Sequence, residues 1–188
     1  GAAAGAAVLP GCATMGGGSA GKVVVVGGGY AGATCAKYLR MWSNGAVDVT
    51  LVEPREAFVS CPISNLVIGG SKTIADVTVS YDNLVKRHGV KLVKDTAVAV
   101  DPDKRTVTLA SGQVLPYDRL ILSPGIDFMY EQLKALESAD AQARVLHSWK
   151  AGPQTVALRR QLEAMPDGGV YAISIPGAAA IPSSNPFT

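Results

Sequence analysis

The chain has 188 residues, 48% of them hydrophobic and 17% charged. That balance fits one globular domain, or one domain and part of a second, with a sizeable core. A net charge of +2 and a pI near 8.5 are too weak to argue for a nucleic-acid surface or an anionic membrane.

In chain order, Gly1 to Val8 is small and apolar, and Leu9-Pro10-Gly11-Cys12 follows. This resembles the end of an export signal, with Cys12 either a lipidation candidate or part of that signal. Residues 1–20 are therefore expected to be a signal remnant and linker. No later apolar run is long enough to span a membrane as a helix. Lys22 to Val26 is a β-branched run ended by Gly27, the pattern of a buried strand. A helix is predicted over Tyr30–Trp42 and a second strand over Val47–Val52, which together form a βαβ unit. Pro54 to Ser64 is expected to be irregular. A short helix over Asp82–His88 should stop at Gly89, with a third strand over Val90–Val93. Ala97–Val100 and Thr106–Leu109 alternate around Asp101-Pro-Asp-Lys104 and predict a hairpin, with Val114 and Leu115 as a third meander strand. Leu120–Leu122 is another buried strand, stopped by Ser123-Pro124-Gly125. Helices are expected over Glu131–Ser138 and Pro153–Met165, and a strand over Gly169–Ile175.

Gly27-Gly28-Gly29-Tyr30-Ala31-Gly32 fits G-x-G-x-x-G. The first glycine permits the tight turn, the second lets backbone approach a pyrophosphate, and the third packs helix on strand. The helix start offers unpaired N–H groups and a positive dipole end. The motif follows a strand, opens a helix, and has an acid, Glu53, 21 residues past Gly32. Glu53 is expected to accept both ribose hydroxyls and to disfavour a 2′-phosphate. The turn by itself leaves FAD and NAD open. A meander followed by Tyr117-Asp-Arg-Leu-Ile-Leu-Ser-Pro-Gly125 resembles the FAD domain of the two-dinucleotide-fold flavoprotein reductases. The fold class is therefore expected to be α/β, a Rossmann-like FAD-binding domain over 21–165. Residues 166–188 would hold the first strand of a second dinucleotide-fold domain and an unstructured tail.

Three scattered cysteines, Cys12, Cys35 and Cys61, make neither a disulfide framework nor a zinc spacing. Cys35 fits a buried inert thiol on the packed helix. A lone His is a poor metal ligand, so His88 and His147 are read as surface or capping residues, and Trp42 and Trp149 as packing.

The run Phe58-Val-Ser-Cys61-Pro-Ile-Ser-Asn65-Leu-Val-Ile-Gly69-Gly70 resembles the flavoprotein subunit of flavocytochrome c sulfide dehydrogenase. So do Val49-Thr-Leu-Val-Glu-Pro54, Asp101-Pro-Asp-Lys104 and Ser148-Trp-Lys-Ala-Gly152. The resemblance implies an exported, periplasmic enzyme that oxidises sulfide and passes electrons through FAD to a c-type cytochrome subunit. It implies covalent FAD, with Cys61 at the position that forms a thioether to the flavin. It also implies that Pro54 and Arg55 line the adenosine side, that Thr96 and Ala97 offer backbone to the adenine, and that Pro124 and Gly125 close on the pyrophosphate side. The redox cysteine pair that such enzymes use to accept sulfide has no counterpart here, so no catalytic residue is expected in this chain. The alternatives are a sulfide:quinone or NADH:quinone reductase of the same superfamily, or a non-catalytic FAD-binding module.

Overall fold

A computed structural model of the protein describes residues 19–174. The expected export signal with Cys12, and the tail from residue 175, lie outside the described residues.

Four parallel strands form the central sheet: β1 (Gly21–Val26), β2 (Val47–Val52), β5 (Lys91–Val93) and β9 (Arg119–Leu122). Their order is β5-β2-β1-β9. Each face is built by alternation along β1. Val23 and Val25 point one way and pack with Ala36, Val49, Leu51, Tyr81 and Val90. That layer is made by α1 (Tyr30–Trp42) and α3 (Asp82–His88). Val24 points the other way and packs with Val52, Val107 and Leu109. That layer is the antiparallel meander of β6 (Ala97–Asp101), β7 (Thr106–Leu109) and β8 (Val114–Pro116). Because both faces of β1 are covered, its sequence is a continuous apolar run.

The βαβ unit, the meander and the last sheet strand stand where the sequence places them. Other expectations are corrected. The stretch after Pro54 is not wholly irregular. β3 (Ala57–Val59) pairs antiparallel with β4 (Thr78–Ser80), and α2 (Asn65–Ile68) lies between them. The predicted helix over Glu131–Ser138 is two 3-10 turns, Tyr130–Gln132 and Lys134–Leu136. The helix begins after Ser138, whose hydroxyl accepts from the Ala141 N–H at 3.1 Å, and α4 spans Ala139–Arg144. α5 spans Pro153–Ala164. Residues 169–174 form no strand: Val170 and Ile173 are 91% and 75% exposed, and nothing among the described residues pairs with them. An apolar run becomes a strand when a ladder partner takes its N–H and C=O groups, and here none does.

Arg40 ties three connections together. Its guanidinium donates to the carbonyls of His88 at 2.8 Å, Gly45 at 2.7 Å and Val47 at 2.6 Å. It thus closes the end of α3 and the α1–β2 turn with one cation. Arg40→Ala is expected to lower unfolding free energy by about 2 kcal/mol, since three carbonyls lose a charged donor. Urea denaturation checks this, and a shift under 0.5 kcal/mol would show that water replaces the side chain.

The glycine turn and its neighbours

The carboxyl ends of β1 and β9 mark the point where the sheet order reverses, since the chain leaves β1 toward β2 and returns on the other side at β9. Open α/β sheets place ligands at such a point. The glycine turn lies there, between β1 and α1.

Each glycine of the turn has its own physical reason. Gly27 has φ +95°, and a Cβ there would lie 2.0 Å from the Ser123 carbonyl oxygen. The end of β9 therefore packs directly on the turn. A Cβ on Gly32 would lie 1.8 Å from the Gly27 carbonyl oxygen, so helix and turn touch backbone to backbone. A Cβ on Gly28 would meet the Tyr81 ring at 2.5–2.8 Å. Gly29 differs, because its nearest neighbour would be Phe58 at 3.8 Å. A Cβ on Gly29 would thus make an ordinary contact and no clash, so close packing within the protein does not explain this glycine.

The first helical bond of α1 runs from the Ala33 N–H to Gly29 O at 3.0 Å. The N–H groups of Tyr30, Ala31 and Gly32 therefore have no partner within the helix. No side chain caps this end. Tyr30 and Ala31 are exposed and Gly32 is buried, and the unpartnered donors and dipole end of α1 fit a pyrophosphate.

Glu53 directly follows β2 and is 2% exposed. Its Oε2 accepts from the Gly28 N–H at 2.8 Å, and its Oε1 accepts from the Arg55 N–H at 3.0 Å and Nε–H at 2.8 Å. Burial raises its pKa, but the Arg55 guanidinium, the Gly28 and Arg55 N–H groups and the Arg55 charge outweigh it, so the carboxyl is held below the usual range. Glu53 is thus an ionised acceptor at neutral pH. It also has a structural task that the sequence does not announce, holding the turn by the Gly28 N–H. The Arg55 side chain is 52% exposed, so a ligand hydroxyl can replace its bonds to Glu53 at small cost.

Pro54 and Arg55 are exposed beside Glu53, and Pro124 and Gly125 are exposed beside Gly27. Thr96 and Ala97 lie at the root of the meander. The Thr96 N–H donates to Asp95 at 2.7 Å and its carbonyl accepts from Ala110 at 2.8 Å, while Ala97 pairs with Leu109. The backbone of Thr96 is thus already engaged within the meander.

Cys61 is exposed, on the loop after β3. Its thiol donates to the Trp149 carbonyl. The preceding Ser60 is 5% exposed and shares a 2.5 Å hydrogen bond with the Tyr30 hydroxyl. Tyr30 also meets Phe58 edge to face at 4.8 Å. The Cys61 loop is therefore fastened to the first residue of α1. Trp42 and Trp149 are 81% and 67% exposed, so neither is the packing residue the sequence suggests. Trp42 ends α1 and leans on Tyr38 at 4.8 Å. His147 is half-buried against Phe128, and its Nδ1 accepts from the Lys150 N–H. Burial, and then Lys150, lower its pKa. Cys35 is half-buried on α1. Among the described residues no cluster of His, Cys, Asp and Glu could hold a metal ion, and no helix is long and apolar enough to cross a membrane.

Residues 21–155 match the family of pyridine nucleotide-disulphide oxidoreductases. The chain belongs to that family. It is 32% identical to mitochondrial sulfide:quinone oxidoreductase of Mus musculus over 124 residues, 66% of this chain and 27% of that protein. It is 61% identical to the flavoprotein chain of sulfide dehydrogenase (flavocytochrome c) of Chlorobaculum thiosulfatiphilum over 46 residues, 24% of this chain and 94% of that sequence. Among solved structures it is similar to sulfide:quinone oxidoreductase of Aquifex aeolicus, with a TM-score of 0.62 and 25% identity over 77% of this chain and 32% of that one. The chain thus spans roughly a quarter to a third of the mouse protein and of the Aquifex structure. The α/β fold with its parallel sheet is the one these reductases share.

Sequence reasoning misses Tyr81, which lies under the turn. An aromatic at the mouth of a short helix looks like any core residue. The signal that could have found it is Gly28 itself, a glycine at a motif position that does not demand one.

Proposed function

We propose that this chain is the FAD-binding part of a flavoprotein that oxidises sulfide. The observation that carries the reading is the 61% identity to the sulfide dehydrogenase flavoprotein chain. The site supports it through the N–H groups of Tyr30, Ala31 and Gly32, which have no partner within the helix, and the ionised Glu53. FAD, when bound, supplies two-electron chemistry with single-electron return. The residues of this chain do the holding. Tyr30, Ala31 and Gly32 present N–H groups to the pyrophosphate. Glu53 accepts the ribose hydroxyls, with Pro54 and Arg55 beside the adenosine and Pro124 and Gly125 closing the opposite wall. Cys61, fastened to the start of α1 through Ser60, is the residue we assign to covalent attachment.

In the whole protein the electron acceptor is a c-type cytochrome subunit and the location is the periplasm. A second reading, with a quinone as acceptor, draws on the longer match to the mouse protein. Assaying the complete protein with sulfide and either acceptor separates them.

The attachment is tested by intact mass and visible absorbance of the purified protein. The expected result is a mass gain of one FAD that survives denaturation and disappears in Cys61→Ala. Flavin released freely by acid sinks the covalent bond and leaves reversible FAD binding standing.

A further inference from the structure

Gly28 of the glycine turn is held on both sides, through the N–H of the Gly27–Gly28 peptide and the carbonyl of the Gly28–Gly29 peptide. The Gly28 N–H donates to Glu53 at 2.8 Å, and the Gly28 carbonyl accepts from the Tyr81 hydroxyl at 3.0 Å. Tyr81 is 4% exposed and sits in the core layer with Val23, Val25 and Val90. Its ring fills the volume that a side chain at Gly28 would need. Burial, and then the charge of Glu53, push its hydroxyl up to about 12, so it stays a donor throughout the ordinary pH range.

The position of Tyr81 in the chain matters as much as its contact. It directly follows β4, and β4 pairs with β3, the strand that runs into Ser60 and Cys61. The register Phe58↔Val79 fixes that pairing. The same short sheet therefore carries the anchor of the turn on one strand and the Cys61 loop on the other. Without the hydroxyl, the Gly28 carbonyl is a buried acceptor with no partner, and the peptide is free to tilt. A tilt there moves the N–H groups that follow, because Gly28 precedes them by two to four residues.

We propose that Tyr81 is a positioning residue for the dinucleotide. It pins the Gly28 peptide from beneath the turn and so aims the N–H groups of Tyr30, Ala31 and Gly32 at the pyrophosphate. The inference rests on the FAD reading above. It assigns Tyr81 no contact with the cofactor itself.

The test uses the full chain in a Cys61→Ala background, in which flavin binding is reversible. FAD affinity is read by flavin fluorescence, and the pyrophosphate environment by phosphorus NMR of the bound cofactor. Tyr81→Phe keeps the ring and removes only the hydroxyl. The expected result is about tenfold weaker binding, the effect of one hydrogen bond to a buried acceptor, with a shifted phosphorus signal and an unchanged circular dichroism spectrum. Binding within twofold and an unmoved phosphorus signal overturn the proposal, since a ring that only fills the core would leave both intact. If Tyr81→Phe does not fold, 3,5-difluorotyrosine at position 81 decides, since it keeps the ring and changes only the donor strength of the hydroxyl. FAD affinity and the phosphorus signal should then both move. If neither moves, the proposal is overturned. A Cys61→Ala background that binds no FAD at all removes the FAD reading and this one together. Normal binding with an indifferent Tyr81→Phe removes this one alone.

Discussion

Gly27→Ala is expected to cost the protein about 2–5 kcal/mol and to abolish dinucleotide binding. Two penalties add at this position. The backbone stands at φ +95°, a conformation that any Cβ opposes, and placing an L-residue there costs about 1–2 kcal/mol. The new methyl would also lie 2.0 Å from the Ser123 carbonyl oxygen and 2.7 Å from its carbonyl carbon. Those atoms are backbone at the end of β9, so they cannot rotate away. Overpacking of that kind adds about 1–3 kcal/mol. The strand must shift, and Pro124 and Gly125 shift with it. Gly125→Ala is the control, because Gly125 has φ +79° but nothing within 4 Å of a Cβ. It should show the strain alone, about 1–2 kcal/mol. Urea denaturation measures both. If Gly27→Ala unfolds at the same urea concentration as Gly125→Ala, the close approach of β9 to the turn is not what fixes this glycine.

The contrast between Gly27 and Tyr81 shows why part of the site could be read in advance. Gly27, Gly32 and Glu53 belong to one βαβ unit, where strand, turn and helix constrain each other locally, so spacing along the chain stands in for distance in space. Cys61 was singled out only by the resemblance of its flanking residues, and its exposure and the Ser60–Tyr30 hydrogen bond beside it needed the structure. Tyr81 lies 53 residues from Gly28, and nothing in its own neighbourhood says which turn it will support. The short strands β3 and β4 escaped for a related reason. Three residues each, joined through α2 rather than a tight turn, they carry no period long enough to recognise. At Glu131–Ser138 a helix was expected, while Ser138 caps the next one with its own hydroxyl. At Gly169–Ile175 the β-branched run was real, but a strand is a property of a pair. The expectation that residues 166–188 open a second domain depends on pairing that the described residues do not contain.

Glu53→Gln tests whether the charge on Glu53 is a stability element, and the pH dependence gives the sign. In the folded protein the Glu53 carboxyl titrates below the ordinary carboxylate range, because donors from Arg55 and Gly28 outweigh the cost of burial. A depressed folded pKa means that the unfolded chain binds the proton more readily. The stabilisation is therefore complete above the unfolded value and is lost as pH falls through the folded one. Glutamine removes the charge and turns one acceptor into a donor facing either Gly28 N–H or Arg55. At pH 7 the variant should be less stable by about 2 kcal/mol, the range for losing a hydrogen bond to a buried charged group. Between pH 5 and 7 that gap should be constant. Below about pH 4.3, the ordinary value of a free Glu side chain, it should narrow, because the unfolded parent then takes up a proton that the folded protein still resists. FAD affinity should fall at least tenfold at pH 7, since ribose hydroxyls lose an ionised acceptor worth about 1.5–3 kcal/mol. Urea unfolding of parent and variant at pH 7, 5 and 3.5 settles the matter. A gap as wide at pH 3.5 as at pH 7 would mean that shape rather than charge accounts for the loss. Glu53 would then be a spacer between Gly28 and Arg55 rather than the electrostatic floor of the site.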